Sequence, residues 1–256
     1  MTDIVQVVLL IFGGLAVSYI ALTKIGDGNI ATGMVQVYQQ MPEKFDMILS
    51  PDNPSYNNLP GIWILIGAGV WIGHFAYWGF NQYITQRALG AKSLKEAQKG
   101  VMFAAYLKLL MPLVIVLPGI CAAILFPVLD KTDQAYPTMM IELLPSGLLG
   151  LTFAALIAAI VSSLASMTNS ISTIFTMDIC RSFSKNEIQQ SSLILIGRSA
   201  VVGSMLIALV MAKPILGNSD QIFQYIQNFT GLFTPGILVI ILVALFWKKA
   251  TSLSVL

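Results

Sequence analysis

Residues 61–87 read GIWILIGAGVWIGHFAYWGFNQYITQR, and no side chain with a permanent charge interrupts them before Arg87. Wound as a helix at 1.5 Å per residue, the uncharged part is about 39 Å long. That exceeds the roughly 30 Å hydrocarbon core of a bilayer. The strict alternation of a barrel strand is absent, so the run predicts a membrane-crossing helix. Its glycines, Gly67, Gly69, Gly73 and Gly79, predict bends or breaks along it.

The rest of the chain follows the same pattern. Of 256 residues, 56% are hydrophobic and only 10% charged, where a soluble domain carries about a quarter charged. A water-soluble globular fold is thereby excluded. Apolar runs at 4–23, 61–86, 100–128, 146–177, 196–212 and 221–247 predict six spans of one all-α, polytopic transmembrane domain over residues 1–256. Pro112 and Pro118 in the third run, and Gly231, Pro235 and Gly236 in the last, predict further bends.

Charge sets the orientation. One side holds Arg87, Lys92, Lys95, Lys99, Arg181, Lys185, Arg198, Lys248 and Lys249, and the other only Lys24, Lys44, Lys131 and Lys213. The richer side is cytoplasmic by the positive-inside rule, leaving the loops at 25–60 and 129–145 outside. Lys108 belongs to neither set and falls inside a span. The net charge of +2 reflects these loops, and no basic patch with interleaved aromatics points to nucleic acid. Cys121 and Cys180 fall toward opposite faces, so neither a disulfide nor a metal pair is expected. MTDIVQVV has no basic leader before its apolar run, so no signal peptide is expected.

Four features carry candidate chemistry, each beside a plainer reading. Lys108 lies nine residues past Lys99, about 13 Å along a helix, where a cation costs about 2.5 kcal/mol or more. It either snorkels to the surface or lines a wet cavity and holds a polar group. Residues 156–175, LIAAIVSSLASMTNSISTIF, crowd hydroxyls into one span. Ala158, Ser162, Ser166 and Ser170 repeat every four residues, as in close helix packing. Alternatively, Ser162, Ser163 and the Ala159 carbonyl offer neutral oxygens to a hard monovalent cation. In IFQYIQNFTGLFTPG, the amides of Gln224, Gln227 and Asn228 either bond neighbouring helices or face a ligand. Finally, His74, Tyr77, Trp78, Asn81 and Thr85 share one stripe of an ideal helix. An interfacial aromatic belt suits Phe80 and Tyr83 better than Tyr77, which lies ten residues, about 15 Å, from Arg87.

The strings YWGFNQYITQRALGAK, AAYLKLLMPLVIVLPGI, FAALIAAIVSSLASMTNSISTIFTMDI and FQYIQNFTGLFTPGIL resemble the sodium/solute symporter family, within it the bacterial sodium/galactose and sodium/glucose-type cotransporters. The resemblance covers essentially the whole chain, including MILSPDNPSYNNLPGI in the outer loop. It implies a helical fold of two inverted five-helix repeats with a substrate site near the membrane midplane. The six spans correspond to the last helix of the first repeat and all five of the second. The resemblance therefore implies a protein about twice as long, whose earlier helices supply further ligands.

Carried over by position, Tyr77 matches an aromatic that stacks on the sugar and gates it, with Trp78 beside it. Lys108 and Gln227 match residues that hydrogen-bond the sugar. The Ala159 carbonyl and the Ser162 and Ser163 hydroxyls match sodium ligands, and Asp3 matches an aspartate on the sodium exit route. His74 departs from the pattern, standing where galactose transporters have a sugar-binding asparagine. An imidazole can replace an amide as donor or acceptor but is bulkier and titratable.

The implied function is sodium-coupled symport of a galactose- or glucose-like sugar by alternating access, in a multi-pass protein of the bacterial inner membrane. Sodium, the sugar and the lipid bilayer are its partners. A symporter for another solute (inositol, sialic acid or proline) stays open, as does a sensor that binds without transport. An enzyme would need an acid/base pair or metal cluster within the membrane. Apart from Lys108, only lone groups near span ends, such as Asp3 and Asp178, are available.

Overall fold

A computed structural model describes residues 2–46, 48–53, 56, 67–184, 187–217, 221–249 and 251. The described chain is helical, with no strand among the described residues. Five helical stretches are long and apolar enough to cross a membrane: Asp3–Ile25, Leu94–Leu125, Ser146–Phe183, Gln190–Leu216 and Ile222–Phe246. They overlap five of the six apolar runs, and the sixth begins at 61–66, outside the described residues. The protein is an all-α, polytopic membrane protein.

The chain gathers into two compact units, Met1–Val37 with Met102–Asp220, and Tyr38–Val101 with Gln221–Leu256. In the first, α1 (Thr2–Ile25) is the centre. After a turn through Asp27 and Gly28, both at positive φ, Asn29 Oδ1 accepts the Ala31 and Thr32 N–H groups. It thereby caps the start of α2 (Ile30–Gln40). The Gly28 φ of +96° is one that side chains other than glycine's disfavour.

Helix α5 (Leu94–Lys108) leads through a break into α6 (Leu117–Leu125). Then come α7 (Ala135–Leu143), the long α8 (Ser146–Thr173) and α9 (Gln190–Leu216). Helix α1 packs against α6, α7 and α8, and α8 also packs against α9. Val17, Ala21, Cys121, Ala122 and Met139 are completely buried where α1, α6 and α7 meet. Helices α1 and α8 pack tightly at Gly13, where an added Cβ would strike the Thr152 side chain.

The second unit holds α3 (Ala68–Phe75), α4 (Gln82–Leu89) and α10 (Ile222–Phe246). Helix α10 packs on α3 and on the turn that follows it. Elsewhere apolar side chains face outward along most of the length of the helices, among them Leu206, Leu209, Val210 and Phe229. Such faces suit lipid, which competes for them as well as any apolar neighbour.

The predicted bends occur in two of three places. Residues Ala76–Phe80 form a π-helical turn, after which Asn81 is extended at φ −75°, ψ 111°. Pro112–Val116 form a second π turn. Helix α10, by contrast, runs unbroken through Pro235. Two threonine hydroxyls bond carbonyls of the preceding turns. Thr234 Oγ1 donates to the Thr230 carbonyl at 2.7 Å, and Thr230 Oγ1 to the Ile226 carbonyl at 3.0 Å. A third π segment, Ile174–Cys180, extends α8, although no glycine or proline announces it.

Candidate functional site

The first unit carries the oxygen-rich group. Three hydroxyls of α8 turn back on their own helix, a common way for Ser and Thr to be satisfied there. Ser166 donates to the Ser162 carbonyl at 3.0 Å, Thr168 to Leu164 at 2.8 Å, and Thr173 to Asn169 at 2.9 Å. Ser162 differs. Its Oγ donates to Asp3 Oδ1 at 3.0 Å, across the α1–α8 interface. Asp3 sits in the first turn of α1, where a carboxylate also meets the positive end of the helix dipole. With its proton committed to Asp3, the Ser162 oxygen keeps its lone pairs for a cation. Ser163 is exposed beside it, and Ala159 lies one turn earlier and half-buried.

Close packing accounts for other parts of the same helix. Thr152 packs under Gly13, and at Gly197 of α9 a Cβ would lie 2.8 Å from Ser172 Oγ. These contacts fall at Thr152 and Ser172, outside the stripe of Ala158, Ser162, Ser166 and Ser170.

Lys108 is the last residue of α5 and exposed. The helix breaks immediately after it, with Leu109 and Leu110 N–H groups reaching back only three residues, to Tyr106 and Leu107. Beyond the break, the Leu117 N–H bonds Pro112. Pro118, next in line for the Leu113 carbonyl, has no N–H to give. The buried Ser18 of α1 donates its hydroxyl to that carbonyl instead. A side chain of α1 therefore fixes the irregular segment that follows Lys108.

The second unit carries the aromatics. Tyr77 and Trp78 lie in the π turn and pack edge to face, 5.5 Å between ring centres at 80°. Tyr83 meets Tyr77 at 6.4 Å and 85°, and its hydroxyl donates to the Tyr77 hydroxyl at 3.3 Å. Tyr77 keeps 43% of its surface exposed and Trp78 37%, so both rings have faces to offer. His74 is exposed in the last turn of α3. Gln227 is exposed on α10, the helix that packs on this turn. Its neighbours Gln224 and Asn228 pair with each other at 3.4 Å.

The expected stripe of His74, Tyr77, Trp78, Asn81 and Thr85 does not survive this geometry. A π turn advances the backbone by more residues per turn than an α-helix, and extended Asn81 starts a new helix in which Thr85 Oγ1 donates to the Asn81 carbonyl at 3.1 Å. Sequence reasoning also missed Ser18 and Tyr83. A belt position also suits Tyr83, and six residues from Tyr77 it matches no helical neighbour rule. Gly79 and Asn81 were the available signal, since both favour irregular backbone.

Among the described residues no group of three or more His, Cys, Asp or Glu could hold a metal. An ion bound here would rely on hydroxyls, carbonyls and at most one carboxylate.

The family model for the sodium:solute symporter family matches residues 1–254. Over 270 aligned residues the chain is 48% identical to a sodium/glucose cotransporter of Vibrio parahaemolyticus, covering 98% of this chain and 49% of that protein. An uncharacterised symporter of Escherichia coli (strain K12) is 33% identical over 96% of the chain and 42% of its own length. Sodium/myo-inositol cotransporter 2 of Oryctolagus cuniculus is 33% identical over 98% of the chain and 41% of its length. The chain thus spans less than half the length of each of these relatives. With a match along nearly its whole length, the chain belongs to the sodium:solute symporter family.

Proposed function

We propose that the protein performs sodium-coupled symport of a galactose- or glucose-like sugar, with the inverted-repeat architecture of its family, in a bacterial inner membrane. The observation that carries the reading is the bond from Ser162 to Asp3, which departs from the self-satisfied hydroxyls around it. It orients one oxygen of α8 for a cation and sets a carboxylate beside it. Sodium is the coupling substrate, held on this half by the Ala159 carbonyl and the Ser162 and Ser163 hydroxyls. Asp3 draws it toward the cytoplasm. Tyr77 stacks on the sugar ring with Trp78 beside it, while Lys108, Gln227 and His74 supply hydrogen bonds to sugar hydroxyls. Coupling follows when sodium favours the state with an ordered sugar site, so that each ligand tightens the other. No bond is made or broken, and no enzymatic role is assigned.

The second reading is a sodium symporter for inositol, favoured by the match to the rabbit inositol cotransporter. Both substrates are six-membered rings bearing several hydroxyls, and His74 offers a different donor and acceptor set from an amide at the same position. Competition by galactose, glucose, myo-inositol, sialic acid and proline against sodium-dependent uptake by the intact protein separates the readings. Galactose or glucose should compete most strongly. Stronger competition by myo-inositol would favour the second reading, and by proline or sialic acid would overturn both.

A further inference from the structure

Of the three π segments among the described residues, one contains Tyr77 and Trp78 and one follows Lys108, but Ile174–Cys180 contains none of the candidate sugar or sodium residues. Such segments concentrate at functional sites. This one lines a cleft of about 720 Å³ between the end of α8 and the start of α9, entirely within the first unit.

Three features of the cleft point to an anion. Thr176, 6% exposed, lines it, and its buried Oγ1 has no hydrogen-bond partner. A buried hydroxyl left unmade costs about 1–3 kcal/mol, which a ligand acceptor would recover. Arg181 and Arg198 line the same cleft, and neither takes part in an ion pair among the described residues. Arg198 is no loop residue, since it stands two turns inside α9. Glu187 is the only acidic residue among the described lining residues, which therefore carry two positive formal charges to one negative.

The remaining lining chooses the source of the anion. Met177, Leu193, Ile194 and Val201 make an apolar wall on two helices of membrane-crossing length, and the excess of basic residues places this end at the cytoplasmic leaflet. A basic pocket between helices there fits a lipid headgroup, with chains along the apolar wall. We infer that this cleft binds the phosphodiester of an anionic phospholipid, with Arg181 and Arg198 on the phosphate oxygens and the Thr176 hydroxyl donating a further hydrogen bond.

The test uses the intact protein, equilibrated with phosphatidylglycerol and phosphatidylcholine in nanodiscs, with retained lipids read by native mass spectrometry after transfer to detergent. Phosphatidylglycerol should be retained about ten-fold over phosphatidylcholine. The preference should vanish in Arg181→Gln with Arg198→Gln and fall several-fold in Thr176→Val, which keeps the side-chain shape. Lys92→Gln, a basic residue of another loop, should leave it unchanged. Equal retention of the two lipids, or a preference that persists in the arginine variants, overturns the proposal. Should the arginine variants not fold, an unchanged preference in Thr176→Val overturns it alone. Excess inorganic phosphate should not displace the lipid, and full displacement would assign the cleft to a soluble anion and overturn the lipid assignment.

Discussion

Asp3 and Ser162 are separated by 159 positions and share one hydrogen bond. A hydrogen bond to a charged group is worth about 1.5–3 kcal/mol, so Ser162→Ala should raise the sodium concentration for half-maximal uptake about ten-fold or more. Asp3→Asn keeps an acceptor for the serine and removes the charge. A similar increase there would show that the carboxylate acts by its charge and not only by orienting the hydroxyl. Sodium titration of uptake in liposomes measures both, and unchanged titrations would remove these residues from the ion path. Ser18 makes a structural prediction. Ser18→Ala leaves the Leu113 carbonyl without its donor and should destabilise the protein by about 1–3 kcal/mol, read as an earlier thermal transition in detergent. The roles of Asp3 and Ser162 came from family resemblance, because nothing in the spacing of residues 3 and 162 shows that they meet. Ser18 was not legible at all, since its partner exists only once Pro118 has taken a donor out of the helix.

At the scale of elements, the apolar runs were readable because the bilayer imposes length and composition together. Breaks were readable where glycine, proline and asparagine weaken the backbone ladder. Pro235 is accommodated within a continuous helix, as membrane helices tolerate, and Ile174–Cys180 was hidden because a π segment needs no marker residue. Tyr83 meets Tyr77 across the π turn at Ala76–Phe80. Tyr83→Phe keeps the ring contact and removes the hydroxyl bond, so sugar affinity should fall about two- to ten-fold, the worth of one ordinary hydrogen bond. Equilibrium binding of labelled galactose checks it, with no change expected in sodium affinity measured without sugar. The α1–α8 interface offers a second test. Gly13→Ala would gain up to about 1 kcal/mol of helix propensity but drive a Cβ into Thr152, an overpacking cost of about 1–3 kcal/mol. The net effect should be lower thermal stability together with weaker sodium dependence, because the same interface carries the Asp3–Ser162 bond.

For the whole molecule, membrane class and helical fold followed from composition alone, while substrate and ion did not. Composition reports the solvent around a chain, whereas a sugar site depends on a few side chains of ordinary type placed by tertiary structure. Lys108, Tyr77, Gln227 and Ser163 could be singled out by residue type and depth, but each also had a plainer reading that only the family's motifs displaced. The central claim is that flux of a sugar is tied to sodium through the oxygens of α8. Its most direct measurement is galactose uptake into liposomes by the intact protein, with sodium replaced by choline at fixed membrane potential, for the native protein and Ser163→Ala. Uptake should be driven by sodium and not supported by choline, and Ser163→Ala should depend far less on sodium. Uptake of equal rate in choline, or a sodium titration that Ser163→Ala leaves unmoved, would contradict the claim.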